Sequence, residues 1–99
     1  MNDRSPAPQL AEPDMALLYL GSLFEALQQA PERDAATLDA LVGQIMLDEG
    51  PKTLLGLAVT ARAEKWLRRR LWMVDFDSLS PSDRAVRAVI ESAMRIGRA

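Results

Sequence analysis

An acyl- or phosphoryl-transfer site needs a nucleophile beside a base, a pair of carboxylates with separated pKa values, or a bound metal. The chain holds no histidine and no cysteine. That removes Ser-His and Cys-His pairs, disulfides and Cys/His metal sites together. Carboxylates pair at Asp48 and Glu49, and again at Asp75 and Asp77. Both pairs fall at expected helix ends, where exposed acids are common. Asp75 and Asp77 begin like a calcium loop, but Leu79, Ser80 and Val86 stand where an oxygen ligand, a glycine and a glutamate belong. Their expected use, with Ser78, is turn hydrogen bonding. Gly50-Pro51-Lys52-Thr53 lacks the upstream glycine and the spacing of a phosphate loop. These residues predict a protein that is not an enzyme and takes no metal or cofactor.

The remaining chemistry is cationic. In Lys65-Trp66-Leu67-Arg68-Arg69-Arg70-Leu71-Trp72, helical spacing gathers Arg62, Lys65, Arg68 and Arg69 on one face, with Trp72 among them. Such a face can hold an acidic protein surface. It can also track a phosphate backbone, with Trp72 stacking on a base. A second set, Arg84, Arg87, Arg95 and Arg98, falls in a narrow sector of the last helix. Arg95 and Arg98 also suit the negative end of that helix, whereas Arg84 in its first turn has no such reason. Arg70 projects to the core side, between Val59, Ala63 and Trp66. Because an unpaired buried arginine is costly, it is expected to snorkel to the edge or to pair with Asp75, Asp77 or an acid of the second helix.

The net charge of −2 conceals an asymmetry. Residues 1–50 carry nine acids and two arginines, and residues 51–99 carry ten Lys/Arg and five acids. The halves can attract each other within one fold or mark a partner. A pI near 5.0 favours a protein partner over nucleic acid.

These side chains must be positioned by helices. Ninety-nine residues suffice for one modest core, and with two Phe, two Trp and one Tyr that core is mainly aliphatic. No period-two run suggests a strand. The expected fold is all-α: a compact bundle of four helices over residues 14–99, preceded by a flexible tail at 1–13 that holds Pro6, Pro8 and Pro13. The first helix is read from Pro13 to Gln29, with Asp14 at its positive end and an apolar arc through Leu17, Leu20, Leu23, Phe24 and Leu27. Leu18 falls outside that arc. The second is read from Glu32 to Glu49, with Leu38, Leu41, Val42, Ile45 and Met46 inward. Gly50-Pro51 predicts a sharp corner into a long third helix, Pro51 to Met73, whose Leu-rich start is apolar nearly all round. Ser80-Pro81-Ser82-Asp83 opens the fourth, which runs to Ile96 with Val86, Val89, Ile90, Ala93, Met94 and Ile96 inward.

A helix-turn-helix reading of helices two and three is weak: Pro51 occupies the turn and the recognition position is Leu-rich. The apolar excess, including Leu18 and Leu47 on polar sides, points to a homodimer or a stable complex. The longest apolar run, Met15 to Leu20, is far short of the roughly 20 residues of a membrane span. With Asp3 and Glu12 the N-terminus does not read as a signal peptide, so a cytoplasmic location is expected. The sequence therefore predicts a small regulatory or adaptor protein. It would bind a partner with an acidic surface through Arg62, Lys65, Arg68, Arg69, Trp72, Arg84, Arg87 and Arg95. The alternative is a transcriptional or plasmid/phage-type regulator binding nucleic acid with the same residues.

Overall fold

A computed structural model of the protein describes residues 13–32 and 34–98, without the side chain of Arg98. Apart from Pro13, the tail expected at 1–13 lies outside them. The fold is all-α, as read from the sequence. Helix α1 spans Met15–Gln29, α2 Ala35–Met46, α3 Leu54–Leu67 and α4 Pro81–Arg98. Two 3₁₀ turns, Arg69–Trp72 and Phe76–Ser78, join α3 to α4. No helix is long and apolar enough to cross a membrane among the described residues.

Helices α1, α2 and α3 enclose the main core. Leu17 and Phe24 of α1, Leu38, Val42 and Ile45 of α2, and Val59 and Ala63 of α3 form one buried cluster. The α2 stripe is the one its periodicity predicts. Leu18, expected on a polar side, is half-buried against this cluster, because α1 is flanked by both α2 and α3. Leu23, expected inside, lies at the exposed edge, and Leu47 is exposed as expected.

Helix α4 stays outside that core and packs along α3. The approach is close where Gly97 lies against the start of α3: a Cβ there would fall 2.6 Å from Ala58 Cβ. Of the apolar residues expected inward on α4, Ile90 is buried, but Val89 and Ile96 are 66% and 50% exposed. One supporting helix covers one narrow stripe, and these two fall beside it. For the same reason Leu54 and Leu55, at the start of α3, lie exposed rather than central.

The corner expected at Gly50-Pro51 is instead a linker. Helix α2 ends at Met46, Gly50 takes a positive φ of 127°, and α3 starts only at Leu54, capped by Thr53. The Thr53 hydroxyl oxygen accepts from Gly56 N at 3.0 Å. Its proton goes to Asp14 Oδ2 at 2.8 Å, which also accepts from the backbone N–H groups of Lys52 and Thr53, each at 2.8 Å. A Cβ on Gly56 would overlap this carboxylate. Asp14 thus opens α1 with its backbone, in a left-handed conformation of φ 67°, and caps α3 with its side chain. The sequence suggested that its charge serves α1; it serves the positive end of α3 instead.

Helix α3 also ends earlier than the expected Met73. Continued α-helical winding would align Leu71 with Glu64, one heptad back, and Arg70 with the buried Ala63. The tighter 3₁₀ turn rotates Leu71 inward, where it is 1% exposed, and swings Arg70 out. Arg70, with 72% of its side chain exposed, pairs at 3.9 Å with Asp83 of α4, not with Asp75, Asp77 or an acid of α2. The α4 start is as expected: Asp83 N donates to Ser80 Oγ at 3.1 Å.

Partial burial raises the pKa of Asp14, but its hydrogen bonds from Lys52 and Thr53, with the Lys52 charge nearby, outweigh this and hold it below the usual 3.8. A folded-state pKa below the unfolded one means that the ionised group favours folding above the ordinary carboxylate range. That benefit disappears as pH falls through the folded value. Asp14→Asn should therefore lower Tm at neutral pH, and the gap from wild type should narrow below about pH 3.8. Thermal denaturation followed by circular dichroism checks this; a gap independent of pH would contradict it. Arg70→Met should change stability by no more than about 0.5 kcal/mol in urea denaturation, as at other exposed sites.

Candidate functional site

The cationic residues of α3 and α4 divide into two groups. Those near the 3₁₀ turns are occupied within the fold. Arg87 Nη1 donates to the Leu71 carbonyl at 3.0 Å, its Nε lies 3.5 Å from Glu91 Oε2, and its guanidinium sits 5.5 Å from the rings of both Trp72 and Phe76. Arg84 Nη2 donates to the Asp77 carbonyl at 2.7 Å and lies 5.9 Å from the Phe76 ring. Trp72 is engaged likewise. Its indole N–H donates to Glu91 Oε2 at 3.0 Å, and Lys65 Nζ lies 5.2 Å from its ring. Trp72 and Arg87 thus fasten α4 to the winding that ends α3, and Arg84 fastens it to the Phe76–Ser78 turn. Arg84, without an electrostatic reason at a helix start, has this one.

The second group borders open space. Arg62, Lys65 and Arg69 line a cleft of about 360 Å³ between α1 and α4, with α3 beneath. Glu25, Gln28 and Gln29 form its α1 wall, and Met94 comes from α4. Trp66 lies at its base, edge-on to the core Phe24 with centroids 6.3 Å apart, and donates its indole N–H to Asp39 Oδ1 at 2.6 Å. Arg69 lies over the Trp66 ring at 4.2 Å and donates to the Trp66 carbonyl at 2.8 Å. A cation on an aromatic face in this geometry is held in place while its outer side stays polar. Arg62 Nε is buried without a hydrogen-bond partner among the described residues.

An adjoining hollow of about 470 Å³ shares Lys65 and Met94 and adds Glu91 and Arg95. Together they make a furrow across α3, with Arg62, Lys65, Arg69 and Arg95 along it and carboxylates at both walls. Arg68 stands apart from it. It pairs with Glu64 at 3.0 Å and borders a different, apolar groove on the other side of α4. The backbone of α4 includes Arg98, whose side chain lies outside the described residues.

Of the sequence candidates, the structure brings Arg62, Lys65, Arg69 and Arg95 to one furrow and gives Trp72, Arg84 and Arg87 to the α3–α4 junction. Trp66, Gln28, Gln29 and Met94 join the furrow without having been singled out. Spacing placed Trp66 toward the core, and its position at the core's edge depends on how α1 crosses α3. Among the described residues no cluster of three or more Asp or Glu could hold a metal ion. In comparison with known proteins, no family model, no characterised relative and no solved structure matches this chain.

Proposed function

We propose that this protein is a non-catalytic binding module, a small adaptor or regulator, which takes an acidic segment of another protein along the furrow between α1 and α4. The observation that carries the reading is the convergence of Arg62, Lys65, Arg69 and Arg95 on one concave surface floored by Trp66 and Met94. Concavity removes part of the ligand's water, so each charge contact is worth more than on a flat face. Met94 and the edge of Trp66 offer apolar contact to aliphatic side chains between the acids.

The walls favour a peptide over a polynucleotide. Glu25 and Glu91 would repel a continuous line of phosphates, whereas a peptide presents N–H groups that such carboxylates accept. Gln28 and Gln29 supply amides of the kind that bond peptide backbone.

Fluorescence anisotropy tests the proposal with two labelled probes, a Glu- and Leu-rich peptide and random-sequence single-stranded DNA or RNA, at low and near-physiological salt. The peptide should bind, and Arg62→Glu/Arg69→Glu should weaken it by at least about tenfold, roughly 1.4 kcal/mol. Arg84→Glu should act on stability more than on affinity. Nucleic acid bound in preference to peptide, with log K falling by about 0.7 per phosphate contact for each tenfold rise in salt, would overturn the reading in favour of a nucleic-acid regulator.

A further inference from the structure

The cations along the furrow differ from their neighbours in one respect. Arg68 pairs with Glu64, Arg70 with Asp83 and Arg87 with Glu91. Arg62, Lys65, Arg69 and Arg95 form no ion pair among the described residues, although Glu25 and Glu91 border the same furrow. Glu91 is already engaged, by the Trp72 indole and by Arg87. Arg62 has no hydrogen bond among the described residues either, and its Nε is a buried donor left unsatisfied. A donor in that state carries a desolvation cost that a bound acceptor relieves.

Three of these cations meet in one hollow. Arg62, Lys65 and Arg69, spaced by three and four residues, line the cleft of about 360 Å³. Arg69 is its organised member. The Trp66 ring holds its guanidinium at 4.2 Å, and the Trp66 carbonyl accepts from Nη1 at 2.8 Å. Trp66 is fixed in turn by its 2.6 Å bond to Asp39 and by the edge contact with Phe24. The remaining N–H groups of Arg69 therefore lie in a set plane, the arrangement that binds two oxygens of one anion.

We propose, building on the peptide reading above, that the cleft at Arg62, Lys65 and Arg69 seats one phosphorylated side chain, a phosphoserine or phosphothreonine, of the acidic segment. Charge decides between phosphate and carboxylate. Three cations against one carboxylate, Glu25, leave the lining with two positive charges unmatched. An Asp or Glu side chain supplies one negative charge and two oxygens. A phosphomonoester supplies a charge of about −1.5 to −2 at pH 7 and three acceptor oxygens, one for each cation. Glu25 limits the number to one, since a second phosphate beside the first would face it. The adjoining hollow adds a single cation, Arg95, beside the engaged Glu91, and an ordinary acid matches it. A free phosphate ion would leave that stretch of the furrow empty, so the phosphate is one carried on a peptide.

Fluorescence anisotropy on the full chain tests this with two labelled peptides of one Glu- and Leu-rich sequence, carrying phosphoserine or Glu at a central position. The phosphoserine peptide should bind at least about tenfold tighter than the Glu peptide, through its additional charge-assisted bonds. Arg69→Lys keeps the charge but loses the planar fork and the stack, and should cut that preference to about threefold or less with helical circular dichroism unchanged. Arg68→Lys, outside the furrow, should leave it intact. Free phosphoserine should displace the peptide only at concentrations about a hundredfold above those of unlabelled phosphopeptide, because it lacks the second contact. Equal binding of the two peptides, or a preference that Arg69→Lys leaves intact, would overturn this inference while the furrow stands as a site for acidic peptides. Free phosphoserine as effective as the peptide would overturn it by assigning the cleft to small phosphate esters. Failure of both peptides to bind at low salt would overturn the proposed function and this inference together.

Discussion

The constraint on which the rest of the structure depends is that α3 must support two packings at once. Helices α1 and α2 lie on one side of it and α4 on another. A helix that serves both needs small residues, because bulky ones would hold its neighbours apart. Its buried positions are Gly56, Ala58, Val59, Ala61 and Ala63. Val59 and Ala63 face the main core, and Ala58 receives Gly97 of α4. The larger side chains of α3 are thereby displaced to its flanks, and there they become surface chemistry: Arg62, Lys65 and Trp66 on one side, Glu64 and Arg68 on the other.

The ends of α3 are set by contacts from distant parts of the chain. Asp14 seals its start from 38 residues away, and its end is shaped by α4, through Arg87 on the Leu71 carbonyl and Glu91 on the Trp72 indole. These polar contacts explain why a strongly basic segment does not behave as one uniform face. Some of its cations are bonded into the junction, and the rest are left beside a cleft. The acidic half of the molecule balances only part of this charge: Glu25 borders the cationic furrow but forms no ion pair with its cations among the described residues.

Much of the architecture was legible from periodicity. The inward stripe of α2 and the Ser80 cap of α4 depend on neighbours within a few residues, and both read correctly. The misread features depend on distance. Arg68 to Trp72 has no helix-breaking residue, so its 3₁₀ winding cannot be seen locally; it follows from the burial of Leu71. Arg70 points inward only if the α-helix continues past Leu67. Asp14 resembles an ordinary first-turn acid until Lys52 and Thr53 are brought to it. For the site, sequence spacing identified the cations but not which of them share a cleft, because that depends on how α1 and α4 flank α3. Trp66 escaped notice for the same reason, and Trp72 drew attention that its bond to Glu91 explains structurally.

The central claim is that the furrow floored by Trp66 is where a partner is held. The chain has two tryptophans, so their indole N–H signals in a ¹⁵N-correlated NMR spectrum distinguish the surfaces directly. On titration with the Glu- and Leu-rich peptide, the Trp66 indole and the amides of Gln29, Arg62 and Arg69 should shift, while those of Val89 and Ile96 stay in place. Shifts confined to the Val89 and Ile96 flank, or a spectrum unchanged throughout, would contradict the account.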